Sequence, residues 1–428
     1  MLFPPRPLRW LFLDLNSYFA SVEQHLNPHL RGKPIIVTPI DSETTCAIAA
    51  SYEAKGYGIK TGTPVWEAKR LCPDLVIVSA QHGRYVEFHE IIVAEIWRHI
   101  PVTQICSIDE VACRLMDNEN DVATASALAQ RIKQGIASNI GKCLTASVGI
   151  APNRLLAKLA SDMMKPDGLV ILHGGNLPEQ LYPLQIGDIS GIGHRMERRL
   201  ASKGITTIRQ LCEHGPRAAG RAWGGNNGDR LWFLLHGLDL PERPTQSRSI
   251  GHSHVLSPKM RGAGPAFLTA RRLALKAASR LRRKEYETRL LMLHAKFEGD
   301  KGRWAMEMKI APTQNSFDIL SALEQLWQQL LASAHQQSGG LRLRMIGVTL
   351  GKIEPVNARQ SSFFTLLGQQ GDGIGATRGM ALCLAMDKIN ARFGRNAVSL
   401  GPLSGGRMDA IGTKIAFGRI PAMSEFHE

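Results

Sequence analysis

Three acidic residues stand beside strongly apolar runs, where an acid is out of place unless it has work to do. Asp14 falls near the end of the run Arg-Trp-Leu-Phe-Leu-Asp-Leu at 9–15, and Asp109 and Glu110 separate the stretches 102–106 and 111–115. An ionised carboxylate beside a buried strand is costly unless it is paired or bound to a cation. Carboxylates brought from distant segments to one sheet edge make an all-oxygen donor set. Such a set suits Mg2+, which keeps waters and takes substrate phosphates as its remaining ligands. Taken singly, each acid is equally well read as a residue that caps or turns its strand.

The elements that must position these acids follow from the hydrophobic pattern. Buried strands are predicted at 9–15, 34–39, 75–79, 102–106, 111–115 and 143–149, with helices at 17–25, 81–99 and 122–138 and Ser17 as an N-cap. Alternation of this kind predicts one mixed-sheet α/β domain through about residue 178. Residues 183–240 lack strand pattern and read as short helices. A polar linker, PERPTQSRS, occupies 241–249, and 250–356 returns to strands mixed with helices. From 357 the chain is rich in Gly and Gln, with one helical stretch near 377–393. The glycines in GDGIGATRG at 371–379 read as a flexible linker: no strand precedes them and no Lys-Ser/Thr follows, as a phosphate loop would require.

Length and charge limit the function. At roughly 100–200 residues per domain, 428 residues predict two to four domains. A hydrophobic content of 44% supports real cores and excludes a disordered chain. The net charge of +15 favours a polyanionic partner, nucleic acid before membrane. No apolar run reaches the ~20 residues of a membrane helix, and the basic N-terminus, interrupted by Asp14, is not a signal peptide. The seven scattered cysteines form no CxxC, so reduced thiols in a cytoplasmic protein are expected, without structural zinc. Positive charge concentrates at 241–290, which holds twelve Lys and Arg against three acids, a net +9. Arg272, Lys276 and Arg280 recur every four residues and put phosphate-tracking charge on one helix face. Arg342 and Arg344 alternate with Leu341, Leu343 and Met345, a half-buried strand with its charged side outward.

The strings LDLNSYFASVE around Asp14 and SIDEVACRL around Asp109 resemble the two acidic motifs of Y-family translesion DNA polymerases, the bacterial DinB/UmuC type. The similarity continues in order through SYEAKGYGIKTGTP at 51–64, SVGIAPNRLLAKLASDMMKPDG at 147–168, and a helix-hairpin-helix signature, ISGIGHRMERRL, at 189–200. It is clear over 8–240, looser over 250–356 and weak in the tail. The resemblance implies a multi-domain α/β right-hand polymerase. Its palm would span 1–178 with small fingers inserted at about 40–80. A helical helix-hairpin-helix thumb at 179–240, the linker, an α/β little finger at 250–356 and a tail at 357–428 would follow. Asp14 and Asp109 would bridge two Mg2+ ions, Glu110 would complete the catalytic one, and the Leu15 carbonyl would touch the nucleotide-side ion. Many relatives have Asp where Asn16 stands and others have Asn, so the metal site is not threatened.

By the same resemblance, Tyr18, Phe19, Tyr52, Lys55 and Lys165 would hold the deoxynucleoside triphosphate, with Phe19 as the ring that excludes a 2′-hydroxyl. Tyr18 and Phe19 also suit packing in a first helix turn, and Lys165 an exposed turn. Lys55, where many relatives have Arg, is a point charge and not a fork. Gly191 and Gly193 would bring main-chain N–H groups to a phosphate of primer-template DNA. In the tail, Gln360, Phe363 and Phe364 resemble a sliding-clamp-binding peptide, and the segment near 380–402 suggests a regulatory subunit as a further partner. Error-prone synthesis across damaged template is the leading function. A non-catalytic DNA-binding relative would lack the acids. A palm-type nucleotide cyclase would need neither the helix-hairpin-helix nor the basic 241–290 segment.

Overall fold

The computed structural model describes residues 6–40, 43, 45–242, 246–299, 302–334, 341–356, 373–394, 397–401, 415, 420–421 and 423–426. They fall into two compact units. One is built from the chain up to 242 with the described part of 412–426, the other from the described part of 243–411.

The first unit has eight strands, β1 (Trp10–Leu15), β2 (Ile35–Thr38), β3 (Ala49–Ala50), β4 (Val76–Ser79), β5 (Val102–Ile105), β6 (Glu110–Arg114), β7 (Ala146–Ala151) and β8 (Leu169–Ile171). Its main sheet runs β5-β6-β1-β7-β8, antiparallel except for the parallel pair β7–β8. Where one mixed sheet was expected, β2, β3 and β4 form a separate sheet in the order β3-β2-β4. Alternation gives this sheet two faces: Ile36 and Ala50 enter a small core with Ala47, Ala54, Ile59, Val65, Ala68 and Cys72, while Ile35, Val37 and Ala49 enter the larger one. Six helices accompany the strands: α1 (Tyr18–Leu26), α2 (Tyr52–Gly56), α3 (Val65–Leu71), α4 (His82–Trp97), α5 (Val122–Asn139) and α6 (Arg154–Met163). Four short ones follow, α7 (His194–Ala201), α8 (Ile208–Glu213), α9 (Pro216–Trp223) and α10 (Asn226–Leu235).

β1 is buried along its whole length, which explains its unbroken apolar run. Leu11, Leu13 and Leu15 enter one core with Tyr85, Ile92 and Ile96 of α4 and Leu128 and Ile132 of α5. Trp10 and Phe12 enter a second with Leu156 of α6 and Leu231 and Trp232 of α10. Alternation therefore puts Asp14 on the α6 side. Asn153 caps α6, its Oδ1 accepting from Leu156 N at 3.0 Å while its Nδ2 donates to the Leu234 and Leu238 carbonyls at 2.8 and 3.0 Å. The helix lies unusually close to β7: a Cβ on Gly149 would stand 2.0 Å from the Ala157 carbonyl oxygen and 2.4 Å from Ser161 N. Helix α1 begins where expected, but Ser17 has φ 48° and its side chain does not cap.

The second unit is an antiparallel sheet of β9 (Ser249–Val255), β10 (Tyr286–Phe297), β11 (Trp304–Thr313) and β12 (Leu343–Gly351), in the order β11-β10-β12-β9. Helices α11 (Ala263–Arg283) and α12 (Ser316–Ala334) cover one face, burying Leu273, Ala277, Leu323 and Leu330 against Leu291, Leu293, Ile346 and Val348. A third helix, α13 (Gly373–Phe393), starts inside the glycine stretch that reads as a linker. Its later residues hold it: Cys383 and Met386 are buried, and Asp387 takes a bidentate pair from the buried Arg282 at 2.6 and 3.0 Å. Packing of this kind overrides the poor helix propensity of Gly.

The close approach at Gly149 is a testable determinant. Gly149→Ala should force α6 off β7 and cost about 1–3 kcal/mol, as overpacking does, with a fall in melting temperature as the readout. An unchanged melting temperature would show that α6 can move aside freely.

Candidate active site

Register brings the acids together. β1 pairs with β6 so that Asp14 lies opposite Glu110, and Leu15 N donates to the Asp109 carbonyl at 2.8 Å. Directly opposed residues project to the same face of a sheet. Asp109 precedes the strand, and its Oδ1 accepts from Ser107 Oγ at 2.5 Å. Burial pushes the Asp109 carboxyl up; the Ser107 hydrogen bond opposes this, and the charges of Asp14 and Glu110 reinforce it. The three acids of the sequence reading thus share one field, although they come from two segments about 95 residues apart along the chain.

Two lysines stand among them. Lys158 Nζ on α6 lies 2.6 Å from Asp14 Oδ2, 2.8 Å from Glu110 Oε1 and 3.2 Å from Asp162 Oδ2. Lys165 Nζ lies 2.8 Å from both Asp14 Oδ2 and Asp162 Oδ1. Burial works against both ammonium groups, yet the Asp14 carboxylate and its neighbours outweigh it and hold both above the usual lysine range. Among the described residues no three His, Cys, Asp or Glu side chains are gathered closely enough to hold a metal ion between them. Ammonium groups sit where the carboxylates converge. Lys158 stands four residues before Asp162 on α6, the spacing of an ion pair on one helical side, and Lys165 follows just past the helix end at Met163. That spacing is the signal in LAKLASDMMK by which Lys158 can be found from sequence alone.

The other expected pocket residues divide. Lys55 Nζ stacks 4.1 Å from the Tyr52 ring. Burial lowers the Lys55 ammonium and raises the Tyr52 phenol, and both feel the charges of Lys165 and Asp14. Tyr52, Lys55 and Lys165 therefore meet beside Asp14. Phe19 is half-buried, its ring stacked on Tyr85 at 4.3 Å and 14°. Tyr18, expected to face a nucleotide, is instead a core residue, 3% exposed, with its hydroxyl donating to the Tyr85 carbonyl at 2.6 Å. Its apolar ring completes the contact of α1 with α4, and its polar tip is spent there. Tyr85 in turn donates to the buried Glu23 at 2.7 Å, so the wall against which Phe19 rests is held at both ends. Asn16 is 2% exposed and belongs to the frame. Its Oδ1 accepts from Asp167 N at 2.7 Å and Thr145 Oγ1 at 3.1 Å, and its Nδ2 donates to Ser147 Oγ at 3.0 Å. It thereby ties the end of β1 to the loop bearing Lys165.

Of the expected DNA contacts, Gly191 has φ +97°, and no atom lies within 4 Å of a Cβ built at Gly191 or Gly193. Ile189 and Ile192 are buried and hold that turn on the core. In the second unit Lys276 and Arg344 are exposed and Arg280 is partly so, whereas Arg272 turns its Nη2 inward into a buried position. Arg342 is pinned by Glu298 at 2.5 Å. Gln360, Phe363 and Phe364 lie outside the described residues.

Residues 13–162 match the impB/mucB/samB family and residues 247–363 match the C-terminal domain of that family. The chain is 34% identical over 400 residues to DNA polymerase IV of Moorella thermoacetica, covering 91% of this chain and 94% of that one. It is 31% identical over 399 residues to DNA polymerase IV of Bacillus velezensis, covering 91% of each. The chain belongs to the Y-family DNA polymerases of the DinB type. Among solved structures it resembles a Y-family DNA polymerase chimera of Dbh and Dpo4, with a TM-score of 0.67 and 25% identity over 81% of this chain and 99% of that one. It also resembles an insertion ternary complex of Dbh DNA polymerase, with a TM-score of 0.51, 25% identity and the same coverage. In this Y-family chain the acidic strand pair, the lysines and the Tyr52–Lys55 corner form one site. Among the described residues no helix is long and apolar enough to cross a membrane.

The paired lysines predict a metal-free stability effect. Lys158→Met should leave Asp14 and Glu110 facing each other with less compensation and lower the melting temperature in chelator by several degrees, while adding Mg2+ should raise it more than in the unaltered chain. An equal Mg2+ effect in both proteins would show that Lys158 does not shield these carboxylates.

Proposed function

We propose that this chain carries out template-directed, error-prone DNA synthesis across damaged template by two-metal nucleotidyl transfer. The observation that carries the reading is the opposition of Asp14 and Glu110 across β1–β6, with Asp109 beside them and Lys55, Tyr52 and Lys165 at the rim. The donor set is oxygen throughout and suits a hard divalent cation. Asp14, Asp109, Glu110 and the Leu15 carbonyl would hold two Mg2+ ions, whose chemistry is to activate the primer 3′-hydroxyl and stabilise the leaving pyrophosphate.

The chain's own residues supply the rest. Lys55 and Lys165 neutralise triphosphate oxygens, and Lys165 can exchange its bond to Asp14 for one to phosphate. Tyr52 positions the same group. Phe19, backed by Tyr85, presents a flat ring beneath the sugar and excludes a 2′-hydroxyl. The open turn at Gly191 and Gly193 offers main-chain N–H groups to the DNA backbone without reading sequence. Lys276, Arg280 and Arg344 track phosphates. Residues 1–178 serve as palm with fingers at about 40–80, 179–240 as thumb and 250–356 as little finger. A sliding clamp would dock on Gln360, Phe363 and Phe364, raising the effective concentration of the enzyme at the primer end. A regulatory subunit on the tail and a cytoplasmic location complete the reading.

Two measurements test this. Asp109→Ala should abolish primer extension on undamaged and lesion-bearing templates while DNA affinity survives. Phe19→Ala should keep extension but sharply reduce the preference for deoxyribonucleotides. Near-normal extension by the first variant sinks the metal assignment, and an unchanged sugar preference in the second reduces Phe19 to packing.

Affinity for primer-template should also fall steeply with salt, by about 0.9 log–log units per phosphate neutralised. Replacing Lys276 and Arg280 with Ala should flatten that slope. An unaltered slope would show that this side of α11 faces away from DNA.

A further inference from the structure

The chain leaves its first unit after residue 242 and rejoins it at its C-terminal end. There, Ile415, Ile420, Met423 and Phe426 pack against the core shared by β1, α4 and α5, and Pro421 is buried. Met423–Phe426 form a 3-10 turn against α4. The Phe426 ring lies over Gly83, the second residue of α4: a Cβ there would stand 3.5 Å from Phe426 Cγ. That is ordinary contact for a Cβ, but a longer side chain would meet the ring.

The seat matters because of what it rests on. α4 starts without a side-chain cap at Gln81, has no acid in its first turn, and carries a glycine there. A helix end with uncapped N–H groups frays, and glycine adds to the entropy cost. Yet this turn bears the wall of the candidate nucleotide pocket: Phe19 meets the His82 ring edge-on at 6.2 Å and stacks on Tyr85. Local sequence does not stabilise the turn, and the C-terminal residues are packed upon it.

We propose that Phe426, with Ile415, Ile420, Pro421 and Met423, acts as an intramolecular strap that seats on Gly83 and steadies the first turn of α4, and through it Phe19. The strap itself stands on this packing; its effect on sugar choice rests on the reading of Phe19 as the ring beneath the sugar.

The test is a double-mutant cycle in the whole chain with Gly83→Glu, Phe426→Ala and both together. In a bare helix, Gly83→Glu should stabilise, because Glu is the better helix former and an acid suits a first turn. With Phe426 seated, it drives a carboxylate into the ring. Each single substitution should therefore lower the melting temperature, by about 2–4 °C for a loss near 1 kcal/mol, and speed amide exchange at 82–86. The double variant should be no less stable than Phe426→Ala alone. Additive effects on melting and exchange would overturn the strap.

The functional arm is the ratio of deoxy- to ribonucleotide incorporation, which Phe426→Ala should reduce several-fold, less than Phe19→Ala does. If Phe19→Ala changes the ratio and Phe426→Ala does not, the steadying role is overturned. If Phe19→Ala leaves it unchanged, the reading of Phe19 fails and the cycle alone decides the strap.

Discussion

The Asp14 carboxylate is the point on which the site depends. It sits on a strand buried along both faces, and its side chain is only 9% exposed. Removing an ion from water costs several kcal/mol even after relaxation, so Asp14 must have cationic partners at all times. Lys158 and Lys165 provide them. Lysine is suited to this because its ammonium is a compact charge on a flexible stem that can release one oxygen and take another, whereas an arginine fork would lock the carboxylate bidentately. The site thus holds Asp14 and Glu110 close together against protein charges, on groups that also suit a divalent cation and a triphosphate.

Much of the surrounding structure follows from keeping those partners in place. Lys158 reaches Asp14 because α6 presses onto β7 at Gly149, and α6 starts where Asn153 bonds both its first turn and the end of α10. Lys165 reaches the same oxygen because Asn16 ties β1 to the following loop through the Asp167 amide. Asn16 has its donor and acceptor engaged on three neighbours, a set that an amide satisfies and a carboxylate, with no N–H, would not.

The acids were legible because an acid in an apolar run is an anomaly that physics must resolve, and their common site was implied by the resemblance of the two acidic motifs. The two-faced burial of β1 was legible too, in its unbroken apolar pattern. Tyr18 was misread because adjacent aromatics on a helix diverge by about 100°, and sequence does not say which one turns inward. Lys158 was missed although its spacing from Asp162 and Lys165 gave it away, because a lysine on an amphipathic helix usually signals only a solvated face. Arg282 fell within the basic count of 241–290, but its partner Asp387 lies 105 residues later, beyond any local pattern. The helical stretch near 377–393 was legible, but its start at Gly373 was not, because packing of its later residues carries the helix into a glycine-rich stretch that reads as a linker.

The central claim is that Asp14 and Glu110 exchange their ammonium partners for divalent cations, which Asp109 joins in holding, when substrate is present. The most direct measurement is electron paramagnetic resonance counting of Mn2+ bound to the whole chain with primer-template and a non-hydrolysable nucleotide, compared with the Asp109→Ala chain. The account predicts about two ions per chain, reduced in the variant under conditions where both proteins bind DNA equally. An equal count in the two proteins would contradict it.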